Sequence, residues 1–385
     1  MFLKTVMERN QPLVRLGIEW QQNGVILPDT YLLDYDTILE NARSIKQAGD
    51  ANGVQNFFML KQIGRNPLIA RALTDMGYVG AVCVDFREAL TMVENQIPLG
   101  NVGHLVQIPR AALKKILRAK PVIVTVYTLE KAREISAVCT ELGLHQKLML
   151  RVLGEGDMLY SGQYGGFELQ ELDSAVRAIE AMPNVEVGGV CSFPCFLYDE
   201  AAQDILPMPN LRTVQTAAEM LRARGYRDLM LNTPSATCTH IIPMIAAAGG
   251  THGEPGHGLP GTTPYHAGHP DAEERPGYLH VSEVSHNLGD KAYCYGGGHY
   301  RRGHMKNALV GTTPENAKVV PVLPPDDSSI DYHFELQQNC PVSAAAVMAF
   351  RTQFFVTRSR VAVVKGLSSG KPELAGLYSA LGEPV

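Results

Sequence analysis

Apolar and polar residues follow a repeating pattern between residues 57 and 256. A short apolar run is followed by a turn and then by a segment with apolar residues at three- and four-residue spacing, which is typical of a helix. The eight runs read FFMLK, GAVCV, VGHLVQ, VIVTVY, KLMLRV, VGGVCSF, LMLNTP and THGEP. Because parallel strands need crossover connections, this alternation predicts a parallel sheet. Eight units over about 200 residues favour an α/β fold with a (β/α)8 TIM barrel, and an open sheet is the alternative.

Capping residues mark the ends of one predicted helix particularly well. Thr128 precedes the helical pattern of LEKAREISAVCTEL, and Gly143 follows it. Threonine is a favoured N-cap residue, and glycine commonly follows the last helical turn. We therefore expect a helix between these two residues.

The pattern changes after residue 257. The segment HGLPGTTPYHAGHPDAEERPG is rich in Gly, Pro and His, which is typical of a long loop. The strand-like runs beyond it, YLHVSEVSH, KAYCYGGG, HFEL, PVSAAAVMAF and TQFFVTRSRVAVV, have no helical crossovers between them. We predict three parts: a barrel at 29–256, a β-rich C-terminal domain at 257–385, and an N-terminal segment at 1–28 that packs with that domain.

The composition and charge of the chain argue against several classes of protein. The 385 residues carry a net charge of −5, which argues against nucleic acid or a membrane surface as the main partner. Seven cysteines, an odd number without C-x-x-C spacing, argue against a disulfide framework, so a reduced, cytoplasmic location is expected. The longest apolar run, IIPMIAAAGG, is too short to span a bilayer.

Lys61 ends the first predicted barrel strand and stands shortly before a Gly-Arg-Asn-Pro turn. Functional groups of TIM barrels lie at the C-terminal ends of the strands. A lysine there can form a Schiff base with a carbonyl group. The alternative is a rim lysine whose amine extends into water.

Hydroxyl groups and a carboxylate follow the seventh and eighth predicted strands. Ser235 and Thr237 lie where barrels commonly bind phosphate, although they could equally form a capping cluster without a ligand. Glu254 and Gly256 lie in a Glu-Pro-Gly turn, where a solvated glutamate is the alternative. Together with Lys61, this order is the one that a phosphate-bearing aldehyde cofactor needs in one barrel mouth.

Three consecutive glycines in AYCYGGGHYRRG follow Cys294 and Tyr295. The segment could place a thiol or a phenol near a substrate, or it could be a flexible turn. A nucleotide-binding loop does not fit, because no strand–loop–helix context surrounds the glycines. The histidines around His257 match no zinc-binding spacing, so no metal is predicted.

These residues give the chain a resemblance to the alanine racemase family, the fold type III pyridoxal-phosphate enzymes. The resemblance covers most of the chain, from YLLDYDTILEN onwards, and implies that Lys61 binds pyridoxal 5'-phosphate. The implied phosphate contacts are Arg65, Ser235, Thr237, Gly256 and His257. More narrowly, the strings KQIGRNP, GHLVQIP, PSAT, EPGH, YCYGGG, DDSSIDY and FRTQ resemble the YhfX-like branch, whose reaction the resemblance does not supply.

Several positions depart from the family pattern. Glu254 stands where alanine racemases place an arginine against the pyridine nitrogen, and a carboxylate there would keep that nitrogen protonated. Ser192 replaces the histidine under the cofactor ring. The arginine before the family's Gly-Phe pair is absent, with Gln163 and Tyr164 nearby instead. Tyr295 aligns with the family's acid/base tyrosine, but the aspartate of that motif is missing.

The resemblance implies an amino acid racemase or epimerase, an isomerase that acts at Cα through a Schiff base on Lys61. Lys61 would be the base on one face, and Tyr295 of the partner subunit or Cys294 the acid on the other. A small amino-acid substrate and a homodimer with shared active sites follow from the same resemblance. The alternatives are a decarboxylase or D-amino-acid lyase of this fold, a non-catalytic pyridoxal-phosphate carrier, and a metal-dependent barrel hydrolase.

Overall fold

The computed structural model describes residues 1–385, which divide into two compact units. The first comprises Arg43–Leu60 and Pro67–Gly256. The second comprises Met1–Ala42, Lys61–Asn66 and His257–Val385. None of the helices combines the length and the hydrophobicity that crossing a bilayer requires.

The first unit is a parallel barrel, which confirms the predicted fold class. Its strands are hydrogen-bonded in the order Gln55–Asn56, His252–Gly253, Met230–Asn232, Val185–Cys191, Gln146–Leu153, Ile123–Val126, Leu99–Val102 and Ala81–Cys83. The ring closes where Phe58 pairs with Ala81. The helices that follow successive strands are Pro67–Asp75, Phe86–Glu94, Arg110–Arg118, Leu129–Leu142, Leu172–Glu180, Pro209–Ala223 and Ile242–Ala247. Each of these crossovers returns the chain to the start of a parallel neighbour.

Shorter elements complete this unit. They are the strand Phe167–Glu168, the hairpin of Phe196–Asp199 with Asp204–Pro207, and the 3-10 turns Leu169–Glu171 and Thr239–Ile241. The helix Tyr35–Asn52 continues from the second unit into the first. An apolar cluster inside the barrel fills one layer of its interior, with Phe57, Met59, Val82, Val84, Ile123, Met149 and Cys191 as its buried members.

The helix Leu129–Leu142 confirms the capping signals. The Thr128 side chain accepts a hydrogen bond from the backbone N–H of Lys131, and Gly143 adopts the left-handed conformation with φ of 64°. Both ends therefore satisfy backbone groups that the helix itself leaves without partners.

The third barrel strand lies earlier in the chain than predicted. VGHLVQ was expected to be the strand, but the ladder ends at Val102. Gly103 has a positive φ of 92°, and the Gln107 side chain donates to the carbonyl oxygens of Gly103 and Thr125. The apolar run after Val102 is therefore a folded loop, which carries His104 into the protein interior.

The second unit is built around an antiparallel sheet. Its strands follow the order Lys291–Tyr295, His333–Leu336, Lys318–Leu323, Asn307–Gly311, Ala345–Met348, Tyr278–Leu288, Thr30–Asp34, Arg360–Lys365 and Glu373–Ser379. The strand Lys291–Tyr295 also pairs with Tyr278–Leu288, so six of the strands close into a ring. This is the β-rich architecture expected for the C-terminal region.

Several strands of this unit differ from the expectation. Asn307–Gly311, Lys318–Leu323 and Glu373–Ser379 were not predicted, and TQFFV contains a 3-10 turn at Phe354–Val356 instead of a strand. The missed strands are short or mostly exposed, so they lack a strong apolar alternation. Further short helical elements are Lys61–Ile63 and Pro264–Gly268.

The strand Thr30–Asp34, which the sequence suggests as the start of the barrel region, belongs to this antiparallel unit. It runs parallel to Arg360–Lys365 and antiparallel to Tyr278–Leu288. The N-terminal helices Leu3–Arg9 and Gln11–Gln22 pack their apolar side chains into the core of the same unit. All five residues of Thr30–Asp34 are buried, so the strand is central to that sheet.

Candidate active site

Glu254 is the centre of a buried polar network inside the barrel. It directly follows the strand His252–Gly253 and is 4% exposed. Its Oε1 accepts hydrogen bonds from Nδ2 of Asn232 at 2.5 Å and from Nδ2 of Asn101 at 3.4 Å. The Nε2 atom of His104 lies 3.6 Å from Oε2. These side chains come from the third and seventh barrel strands or the residues just after them, and Glu254 itself follows the eighth strand, so the barrel orients the carboxylate.

Thr237 connects the loop after the seventh strand to the same network. Its Oγ1 accepts a hydrogen bond from the backbone N–H of Glu254 at 3.1 Å, and the residue is 1% exposed. The hydroxyl proton of Thr237 stays available for an acceptor. Ser235 is differently engaged, because its Oγ donates to the carbonyl oxygen of Phe196 at 2.6 Å. Of the two hydroxyl groups predicted to contact the phosphate, that of Thr237 is thus the better placed donor.

The loop that carries these hydroxyls is shaped by its backbone. Ala236 has a positive φ of 56° between Ser235 and Thr237. The helix that follows, Ile242–Ala247, has only six residues and begins after a 3-10 turn. So short a helix has a weak dipole, and anion binding here would depend on the side-chain hydroxyls and the loop backbone.

Ser192 is fully buried, and its hydroxyl is already hydrogen-bonded to neighbouring side chains. Its Oγ accepts a hydrogen bond from Nδ2 of Asn210 at 3.0 Å and donates to Asp157 at 3.5 Å. Asp157 also accepts a hydrogen bond from Thr213 at 2.7 Å. These hydrogen bonds connect the loop after the fifth strand to the helix Pro209–Ala223. Ser192 therefore has a structural role in addition to the cofactor contact predicted for it.

Lys61 begins the 3-10 turn Lys61–Ile63 in the second unit and is partly exposed. His257, in the same unit, lies close enough to Lys61 for the lysine charge to affect the pKa of its imidazole. Burial first, and then the cations Arg351 and Lys61, lower the pKa of His257 well below its ordinary value. The imidazole is therefore neutral at pH 7, with Nδ1 at 3.2 Å from Thr262 Oγ1 and Nε2 at 3.3 Å from Gln353 Nε2.

Arg65 is 1% exposed and has a positive φ of 51°. Its guanidinium lies over the ring of Phe355, with 5.2 Å from Cζ to the ring centroid. This cation–π contact fixes the side chain in the second unit. It is compatible with the predicted phosphate contact, since a guanidinium that covers an aromatic face can still donate hydrogen bonds at its edge.

Tyr295 and Cys294 point to opposite faces of the strand Lys291–Tyr295, because side chains alternate along a strand. Tyr295 is 38% exposed and lies 5.9 Å from His333, measured between ring centroids. Cys294 is fully buried in the sheet core, and burial raises the pKa of its thiol to about 12. A thiol so hard to ionise and so far from solvent is a poor proton donor, which favours Tyr295 as the second acid/base.

Three side chains of the network were missed from the sequence: Asn101, His104 and Asn232. Each lies at the end of a barrel strand or just beyond it, and strand ends are where TIM barrels place functional groups. That position was the available signal, because an isolated Asn or His in an apolar run is otherwise ordinary. A fourth missed residue, Arg151, lies near the end of the fifth strand and is fully buried.

The barrel side chains suit a ligand that carries both a protonated nitrogen and anionic oxygens. Glu254 supplies a buried carboxylate, and Thr237 supplies a buried hydroxyl whose proton can be donated to an anionic oxygen. Pyridoxal 5'-phosphate has this combination of charges, so the residues present fit it.

Comparison with known proteins agrees with the fold. The family model described as "Alanine racemase, N-terminal domain" matches residues 33–264, and "YhfX-like, C-terminal domain" matches residues 279–374. The chain is 42% identical over 387 residues to the uncharacterized protein YhfX of Escherichia coli (strain K12), with all of both chains covered.

Two solved structures have similar folds at low sequence identity. D-threonine aldolase from Filomicrobium marinum is 15% identical with a TM-score of 0.68, covering 92% of this chain and 94% of its own. Alanine racemase of Clostridium difficile 630, in complex with cycloserine, is 14% identical with a TM-score of 0.66, covering 92% of this chain and 99% of its own. At these identities the likeness concerns the fold.

Proposed function

The chain belongs to the alanine racemase N-terminal domain family, and from this premise we propose that it is a pyridoxal-phosphate-dependent amino acid racemase or epimerase. Alanine racemase-like proteins generally bind pyridoxal 5'-phosphate. The observation that best supports binding of this cofactor is the buried Glu254 carboxylate at the end of the barrel strands, which accepts a hydrogen bond from the Asn232 amide, while its backbone N–H donates to the Thr237 hydroxyl. A carboxylate in this position suits a protonated ring nitrogen.

The cofactor would be held by residues of several types. Lys61 would bind it covalently, Glu254 would face its ring nitrogen, and Thr237 would donate to its phosphate. The remaining proposed contacts are Arg65, Ser192, Ser235, Gly256 and His257. Bound there, pyridoxal phosphate would supply an electron sink for negative charge at the substrate Cα.

Two groups of the protein would move protons. The Nζ atom of Lys61 would accept the proton that leaves Cα on one face. The phenol of Tyr295 of the partner subunit would return a proton to the opposite face, and solvent would restore both groups afterwards. The exposure of Tyr295 supports its assignment to a face shared between subunits of a homodimer.

A D-amino-acid lyase or a decarboxylase of the same fold is the second candidate. The observation that favours it is again Glu254, because a carboxylate keeps the ring nitrogen protonated and strengthens the electron sink for harder bond cleavages. A non-catalytic pyridoxal-phosphate carrier is the weaker candidate, because the antiparallel unit with Tyr295 has no evident use in a carrier.

The first experiment measures the visible absorbance of the purified protein after incubation with pyridoxal phosphate. We expect a yellow protein that borohydride bleaches, and a K61A variant without the absorbance. Both enantiomers of common amino acids are then incubated with the protein in deuterated water. Racemisation exchanges the α-hydrogen and returns intact substrate of both hands, whereas a lyase or decarboxylase consumes it. A wild-type protein that cannot be loaded with the cofactor would refute the proposal.

A further inference from the structure

Arg151 is a fully buried cation in the barrel interior. It lies on the fifth barrel strand, Gln146–Leu153, two residues after Met149, which belongs to the interior apolar cluster. Because side chains two residues apart share a face of a strand, Arg151 points inward as Met149 does. Its partner in the strand register is Cys191, another member of that cluster. The guanidinium is thus nearer the C-terminal end of the strand, where TIM barrels bind ligands.

The partners of Arg151 are all uncharged. Its Nη1 atom donates to the Tyr127 hydroxyl at 2.8 Å and Nη2 to the carbonyl oxygen of Gln163 at 2.8 Å, while Nε is buried without a partner. Burial raises the pKa of Tyr127, and it raises that of Cys191 to about 12, so neither side chain is an anion at pH 7. Buried charges in proteins are normally paired, and this one has no counter-ion from the protein.

The loop that contains Gln163 is shaped to hold the guanidinium. Gly165 and Gly166 have positive φ values of 125° and 144°. A Cβ atom at Gly165 would lie 2.9 Å from the Tyr127 ring, and one at Gly166 would lie 2.8 Å from the carbonyl oxygen of Arg151. Only glycine allows this close approach, which brings the carbonyl of Gln163 to Nη2. The surrounding structure therefore holds an arginine that forms no ion pair with a carboxylate of the protein.

Glu254 does not fill this role. Its carboxylate binds Asn232 and Asn101, and it forms no ion pair with Arg151. Both groups act on the Cys191 thiol, Arg151 as a cation and Glu254 as an anion, so the two lie around the same part of the barrel interior. The barrel interior thus contains a buried carboxylate and a buried guanidinium that do not pair with each other.

We propose that Arg151 binds the α-carboxylate of the amino-acid substrate and thereby selects α-amino acids over the corresponding amines. This rests on the proposed function for the identity of the substrate. A guanidinium binds a carboxylate through two parallel hydrogen bonds, and Arg151 has the partnerless Nε to contribute.

The contact between Arg151 and the substrate carboxylate would also disfavour decarboxylation relative to racemisation and lyase cleavage. Decarboxylation moves the negative charge away from the carboxylate as the bond breaks. A buried cation on that carboxylate stabilises the ground state more than the transition state, and it therefore slows this reaction. Racemisation and lyase cleavage keep the carboxylate charged throughout. Arg151 thus favours an enzyme that retains the substrate carboxylate.

The test measures the thermal unfolding of the cofactor-treated protein in increasing propionate, with propionamide as the uncharged analogue. Wild type should be stabilised by propionate and not by propionamide. R151M should lose propionate affinity by at least about 30-fold, since it removes the buried charge partner. R151K, which keeps the charge but not the two-pronged donor, should bind with intermediate affinity. R118M, at an exposed arginine of a barrel helix, is the matched control and should bind as wild type does.

Two results would overturn the proposal: no propionate effect in wild type, or the same affinity in R151M and R151K as in wild type. Loss of cofactor absorbance in R151M with propionate binding intact would also overturn it, because Arg151 would then serve the cofactor. Failure of the proposed function looks different. In that case no variant takes up pyridoxal phosphate, while propionate binding still depends on Arg151.

Discussion

At the scale of single residues, the position of Glu254 depends on Asn232. The Asn232 amide is fully buried and donates to the carboxylate at 2.5 Å. Glu254 itself is held between this amide and the Thr237 hydroxyl, which binds its backbone N–H. A carboxylate in the barrel interior is costly unless such donors compensate for the water it has lost. Asn232 is therefore a positioning residue for the proposed cofactor contact.

We predict that N232A lowers the free energy of unfolding by about 1–3 kcal/mol, because it leaves a buried carboxylate without its shortest hydrogen bond. It should also weaken pyridoxal-phosphate binding. Urea unfolding measures the first effect, and titration of the visible absorbance measures the second. N52A removes an exposed asparagine amide and is the control that should change neither. Wild-type stability and affinity in N232A would show that Asn101 and His104 suffice to hold Glu254.

At the scale of one element, the eighth barrel strand carries a histidine that makes the barrel sensitive to acid. His252 is 6% exposed and stacks on Phe57, with 5.1 Å between ring centroids. Burial lowers its pKa from 6.5 to about 4. Between these two values the unfolded chain binds a proton that the folded chain excludes, so stability falls as the pH drops through this range. The lowered pKa of His257 acts in the same direction.

We predict that the free energy of unfolding of wild type falls between pH 7 and pH 4, and that H252F removes roughly 3 kcal/mol of this decrease. Phenylalanine keeps an aromatic ring against Phe57 but cannot take up a proton. Urea unfolding at a series of pH values provides the measurement. H145F, at an exposed histidine, should retain the wild-type pH dependence. An unchanged decrease in H252F would mean that the acid sensitivity originates elsewhere.

At the scale of the whole molecule, the proposal requires two copies of the chain. If Tyr295 completes the site of the partner subunit, K61A and Y295F should each be inactive as pure proteins. Mixing them under conditions that exchange subunits should restore about a quarter of wild-type activity, since half of the dimers are hybrids with one intact site of two. The measurement is α-hydrogen exchange in deuterated water, with light scattering for the mass relative to the 42.0 kDa chain.

The outcome of this mixing experiment separates two arrangements. Restored activity requires Lys61 and Tyr295 from different chains. No recovery from hybrids of confirmed dimeric mass would place both residues in one chain and contradict the shared site. A monomer with full activity would contradict it as well.

The sequence alone was sufficient for the features that depend on local order. The repeated apolar runs and helical segments predicted the barrel, and Thr128 with Gly143 marked a helix correctly. These signals are local because helix capping and side-chain periodicity involve residues close in the chain. The exposed strands Lys318–Leu323 and Glu373–Ser379 escaped prediction for the same reason, because they lack a strong apolar period of their own.

The tertiary structure decided which polar groups meet and which are already occupied. Asn101 and Glu254 are more than 100 residues apart in the chain. Closure of the barrel nevertheless brings Glu254 within hydrogen-bond distance of both Asn101 and Asn232. The tertiary structure also places Cys294 in the buried core and hydrogen-bonds Ser192 to Asn210. Above all, it left Arg151 in the interior without an anion, which no sequence pattern indicates. The charge balance of a buried site is set by every chain segment that lines it, and hence only by the folded molecule.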